Sequence, residues 1–143
     1  MVSHENQRVA LLPIQPRYVR DIIEGGKRVE FRRRAFAKPV SHAVIYATSP
    51  YKRVVAHFRV AHITQATPGE LWRRFADVAG IDYDTFRHYY SGAREGIAIG
   101  IADLVILAKP VPLSRISPSL AAPQSFCYLE KGLFAKVMEL ALR

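Results

Sequence analysis

Residues 25–34 read GGKRVEFRRR, and the way this stretch folds decides the rest. The paired glycines Gly25 and Gly26 end a helix, because the left-handed residue that closes a helix costs glycine least. After them the side chains alternate. Val29 and Phe31 share one face of a strand, and Arg28, Glu30 and Arg32 share the other. The spacing predicts helix, turn and strand, with Lys27 at the entrance from the turn and Arg33 and Arg34 beyond the last alternation. Neighbours on a strand point opposite ways, so Arg32, Arg33 and Arg34 cannot all face one ligand. Arginine forks grip phosphate in a bidentate way, and a lysine adds a mobile point charge. A single carboxylate among them, Glu30, orients the guanidinium groups and limits their mutual repulsion.

On the N-terminal side, a polar lead of residues 1–7 precedes RVALLPI (8–14), which reads as a first strand. QPRYVRDIIE (15–24) follows as a short helix, with Pro16 in its first turn and Tyr18, Val19, Ile22 and Ile23 as its apolar stripe. On the C-terminal side, HAVIYATS (42–49) and RVVAHFRVAHIT (53–64) are rich in β-branched and aromatic residues and predict strands joined by the turn SPYK. TPGELWRRFADVAGI (67–81) and DYDTFRHYYSG (82–92) read as helices, the second capped by Asp82 or Asp84. EGIAIGIADLVILAKPVPL (95–113) predicts a long curved strand whose glycines mark close packing. Residues 114–125 read as a loop, and 129–143 as a closing helix. The expected fold class is α+β: a mixed β-barrel surrounded by short helices, in a single domain over 1–143 with its core at about 8–142.

Composition bounds the function. The chain has 143 residues with 21 Lys and Arg against 12 Asp and Glu, a formal net charge of +9. Such an excess favours a polyanionic partner, because basic surfaces attract phosphates and gain from counterion release. RNA is the expected partner, with a membrane excluded and the oligomeric state left open. Cys127 is the one cysteine, so no internal disulfide forms, which suits a reducing cytoplasm. No stretch reaches the length of a membrane span.

Several chemistries fall away. His57 and His62 lie five apart on a strand and point to opposite faces, and no HxH, HExxH or CxxC spacing exists, so no metal is expected. There is no GxxxxGK[ST] or GxGxxG cradle, and no cofactor is expected. Cys127 reads as a small buried apolar residue rather than a nucleophile. Tyr51, beside Lys52 and Arg53, is the best-placed ring for stacking on a base.

The segments LLPIQPRYVRDIIEGGKRVEFRRR, VIYATSPYKRVVAHFRV, ELWRRF, YYSG and APQSFCYL occur in this order. Together they resemble the ASCH-domain family, related to PUA domains, and in particular its short prokaryotic stand-alone members. The resemblance runs from about Val9 to Leu129. It implies a PUA-like β-barrel with a basic cleft edged by the hallmark segment, holding RNA or a modified nucleoside or nucleotide. Carried over, Lys27, Glu30 and Arg32 line that cleft, Thr48, Ser49 and Pro50 form a loop at its edge, and Gln124 and Ser125 face it from the far side. Arg28, Arg33, Arg34, Tyr51 and Lys52 complete the expected nucleic-acid surface.

Two activities belong to relatives. Small amidohydrolases of acylated cytidines use a Lys with a Thr three residues later, and here that position is Glu30. Metal-independent ribonucleases are the other group. If this cleft is catalytic, Lys27, Glu30 and Ser125 are the expected catalytic residues, with Tyr18 or Tyr128 assisting proton transfer. RNA binding without turnover is the first expectation, and hydrolysis in the same cleft is the alternative.

Overall fold

The computed structural model describes residues 7–141; the polar lead, His4 included, lies almost wholly outside them. Strand β1 (Arg8–Ile14) runs into helix α1 (Pro16–Glu24), which starts on Pro16 and ends on Gly25 at φ 90°, whose N–H donates to the Ile22 carbonyl. Strands β2 (Val29–Arg32), β3 (Val40–Ala47) and β4 (Arg53–Ala66) follow. Helix α2 (Pro68–Phe75) is capped by the Thr67 hydroxyl, which accepts from the Glu70 N–H, and it passes through a 3-10 turn over Ala76–Val78. Helix α3 (Tyr83–Tyr89) is capped by Asp82, which accepts from the Thr85 N–H. Strand β5 (Gly96–Val111), helix α4 (Leu113–Ile116), strand β6 (Cys127–Leu129) and helix α5 (Lys131–Ala141) complete the chain.

The strands form one six-stranded sheet in the order β2-β5-β4-β3-β1-β6. β1 and β3 pair in parallel and the other neighbours are antiparallel. The fold is therefore mixed α+β, as expected, but among the described residues no ladder closes the sheet into the expected barrel: β2 and β6 remain edges. A side chain spans the gap instead. Arg32, the last residue of β2, donates to the carbonyls of Pro13 on β1 and Ser125 just ahead of β6.

Three apolar clusters cover the sheet. Val9, Leu11, Val44 and Tyr46 pack under Phe134, Val137 and Leu140 of α5. Leu12, Ile45, Phe58 and Ile99 lie with Val19 and Ile22 of α1. Val29 and Phe31 of β2 meet Leu71 of α2 and Phe86 and Tyr90 of α3, where the Phe31 and Phe86 rings stand edge to face at 4.9 Å. Full burial of side chains of this size contributes about 1.5–3 kcal/mol each, which fixes both faces of β2. The long β4–β5 pair bends through register shifts, with Asp103 at φ 50° where the ladder slips. The glycines of β5 are packing positions: a Cβ on Gly96 would stand 2.2 Å from the Tyr90 ring, and one on Gly100 would stand 2.4 Å from His62.

Two short elements were invisible to pattern. Residues 114–125 contain most of α4, and Cys127–Leu129 forms an edge strand too short to show alternation. No helix among the described residues is long and apolar enough to cross a membrane.

Candidate functional site

A cleft of about 330 Å³ opens between the end of β1, the first turn of α1, β2 and α3. Its floor is ionic. Lys27, 3 % exposed, donates from Nζ to the Ala79 carbonyl at 2.7 Å. The same Nζ stands 3.8 Å from Glu30 Oε1, an ion pair too long for a hydrogen bond. It also lies over the rings of Tyr18 and Phe31, 5.4 and 5.3 Å from their centroids. Burial pushes the Lys27 amine below its ordinary pKa, against the opposing pull of Glu30.

Glu30 Oε2 accepts from both Nε and Nη2 of Arg32, at 3.2 and 2.8 Å. The remaining Arg32 bonds go to Ser125 O at 3.0 Å and Pro13 O at 2.6 Å. One guanidinium is thus spent on a carboxylate and two carbonyls. Acceptor capacity is left on Glu30 Oε1, beside an amine donor, at the base of the cleft. That pairing suits a planar heterocycle with neighbouring donor and acceptor groups.

The walls are aromatic and apolar: Tyr18 from α1, Phe31 from β2, and Ile81, Phe86 and Tyr89 from the α3 side. The rim is polar, with Gln15 and Arg17 on one lip and Thr85 and His88 on the other. Arg17 lies 4.5 Å over the Tyr18 ring and donates to its hydroxyl. Burial raises the pKa of Tyr89, so its hydroxyl stays protonated.

The expected site residues divide into three groups. Lys27, Glu30 and Arg32 come together on the cleft floor, and Tyr18 joins them as a wall. Ser49, Tyr51 and Lys52 sit exposed on the β3–β4 turn, outside the cleft lining; the turn is tied to it through the Thr48 N–H, which donates to the carbonyl of Ile14, a lining residue. Lys52 holds φ 52°, and Arg53 clamps the turn by donating to the carbonyls of Tyr51 and Lys52. Non-glycine residues held left-handed concentrate at functional turns.

The third group stands apart from the cleft. Arg28 is exposed, with its N–H on the Val78 carbonyl, and Arg34 is exposed beyond the strand. Arg33 turns to α3, where Nη1 donates to the carbonyls of Tyr89 and Ser91. Gln124 is exposed, and Ser125 meets the cleft floor through its carbonyl. The Tyr128 hydroxyl accepts from the Lys38 N–H, and its ring packs on Phe126, away from Lys27. Pattern reading missed the α3 wall. Thr85, His88 and Tyr89 recur at helical spacing on one face, and that periodicity was the available signal.

No group of three or more metal-ligating side chains exists among the described residues. His57 lies edge-on to Phe134 whereas His62 stacks on Phe75, so the two rings face different helices.

The architecture is an open α+β sheet with an aromatic, ion-floored cleft beside its first crossover. The chain matches no protein-family profile. It is 28 % identical, over 98 % of its length and 97 % of the relative's, to an ASCH domain-containing ribonuclease of Zymomonas mobilis. The crystal structure of ASCH from Zymomonas mobilis superposes with a TM-score of 0.84 at 29 % identity, covering 93 % of this chain and 95 % of that one. A tyrosine-to-phenylalanine variant of the same protein gives 0.85 at 28 % identity, covering 94 % and 99 %. The N-terminal domain of Staphylothermus marinus McrB shares the fold alone, at a TM-score of 0.61 and 11 % identity over 93 % and 94 %. Along nearly its whole length the chain is thus similar, in sequence and in fold, to ASCH proteins of Zymomonas mobilis.

Proposed function

We propose that this protein acts on RNA, drawing one unpaired nucleotide into the cleft and hydrolysing the backbone beside it. The observation that carries the reading is the cleft itself. At about 330 Å³ it sits at the lower end of small-ligand sites, the right scale for one nucleotide. Its rings offer stacking, and its floor offers a paired donor and acceptor for a base edge. The net charge of +9 supports a polyanion outside it. Likeness along nearly the whole chain to a ribonuclease of Zymomonas mobilis supports turnover.

The roles differ from those expected of the sequence. Lys27 is sealed and already bonded to Ala79, so it serves base recognition rather than gripping phosphate. Lys52, exposed and fixed on the neighbouring turn, is the cation suited to charge developing on a phosphoryl group. Ser49 and Tyr51 supply hydroxyls on that side. The bridge that Arg32 makes from one end of the sheet to the other supports a PUA-like barrel closed by a side chain instead of a ladder, with residues 1–143 as one ASCH domain.

Labelled single-stranded RNA is incubated with wild type, Lys52→Ala and Tyr18→Ala, with and without divalent cations, and read on native and denaturing gels. Shortened RNA, lost at least tenfold in Lys52→Ala while binding persists, is the expected result. Retarded but intact RNA makes the cleft a binding site only. RNA neither bound nor cut at low salt overturns the proposal.

A further inference from the structure

The cleft does not end at Tyr18. A second pocket of about 280 Å³ lies behind it, between α1 and the loop before α3, lined by Arg17, Tyr18, Asp21, Gly80, Ile81 and Asp82. Arg17, Tyr18 and Ile81 line both pockets. With its guanidinium laid on the Tyr18 ring and bonded to the hydroxyl, Arg17 and Tyr18 form one partition between the two spaces.

The charges of the second pocket are sorted. Asp82 is consumed by its cap: Oδ1 accepts from the Thr85 N–H at 2.8 Å and Oδ2 from the Thr85 hydroxyl at 3.0 Å. Asp21 lies one helical turn beyond Arg17; among the described residues its carboxylate makes no hydrogen bond or close ion pair, and it acts on the Lys27 amine only at longer range. A carboxylate repels phosphate but accepts strongly from a sugar hydroxyl, the use acidic side chains find on ribose 2′-OH groups. The cation that can hold a phosphate, Arg17, stands on the boundary, where the diester joining two successive nucleotides must pass.

We propose that the second pocket takes the ribose of the nucleotide adjoining the one in the cleft, with Asp21 reading its 2′-hydroxyl and Arg17 holding the linking phosphate. Asp21 then selects RNA over DNA, since the 2′-hydroxyl is what distinguishes them locally. The inference rests on the cleft holding a nucleotide and adds the identity of its neighbour's sugar.

The test compares binding of one single-stranded sequence as RNA and as DNA, by fluorescence anisotropy at fixed salt, with RNA integrity checked on denaturing gels. Wild type is expected to favour RNA. Asp21→Ala is expected to weaken RNA about tenfold, the scale of one charged hydrogen bond, and to leave DNA within about twofold. Asp21→Asn, which keeps an acceptor, is expected to retain part of the preference. Equal loss on RNA and DNA, or no loss on either, overturns the inference. Wild type binding RNA and DNA equally overturns it while leaving the cleft reading intact. Wild type binding neither removes both.

Discussion

Arg32 Nη1 donates to the carbonyl of Ser125 at 3.0 Å, joining residues 93 positions apart. The bond ties an edge strand to the segment that leads into the opposite edge. The same guanidinium holds Glu30 and the Pro13 carbonyl. It is therefore a strut of the cleft floor, and its charge is already committed when a ligand arrives.

Arg32→Lys is expected to destabilise the fold by about 1–3 kcal/mol, the scale of leaving part-buried carbonyls without their donor. A lysine keeps the charge but cannot span three acceptors with a rigid fork. Urea unfolding checks this, and a midpoint within error of wild type contradicts the strut.

Gly80 and Gly25 separate strain from obstruction. Both have positive φ, 60° and 90°, so alanine at either costs about 1–2 kcal/mol. At Gly80 the new Cβ would also stand 2.4 Å from Lys27 Cβ, whereas at Gly25 nothing among the described residues lies within 4 Å. Gly80→Ala is expected to lose more stability and to weaken nucleoside binding several-fold, while Gly25→Ala leaves binding unchanged. Melting curves paired with nucleoside titration decide it.

The salt dependence of RNA binding distinguishes free cations from tethered ones. Lys52→Ala is expected to lower the slope of log K against log salt by about one. Arg32→Lys is expected to leave the slope unchanged, because that charge is neutralised within the fold. Equal slopes for wild type and Lys52→Ala would remove the turn from the RNA surface.

Much of this was legible in the residues. The Gly25–Arg32 stretch gave helix stop, turn and strand because glycine geometry and two-residue alternation are local properties. Lys27, Glu30 and Arg32 were expected together, and the floor unites them. The alternation did not reveal that Arg32 would be absorbed by Pro13 and Ser125, since those partners are far away in sequence. For the same reason the barrel expectation missed the open edges. The α3 wall escaped because its Thr85, His88 and Tyr89 gain meaning only from the packing of Phe86 against Phe31.

Acid should loosen the α5 side of the sheet. His42 and His57 both pack against Phe134, and burial lowers the pKa of each, helped by Arg59 at His42 and by His42 at His57. With folded pKa values below the usual 6.5, the unfolded chain takes up protons first. Stability is then full above about 6.5 and falls as pH drops toward the folded values. Melting temperature between pH 8 and 5 is expected to fall more steeply for wild type than for His57→Gln. Parallel curves contradict the assignment.

Photocrosslinking tests the central claim most directly. Single-stranded RNA carrying 4-thiouridine is irradiated with the protein, and the modified peptides are sequenced by mass spectrometry. Crosslinks on Tyr18, Phe31 or the Phe86–Tyr89 segment, abolished by competing nucleoside, are the predicted result. Crosslinks confined to α5 or the outer β4–β5 surface would place RNA elsewhere and contradict a base-holding cleft.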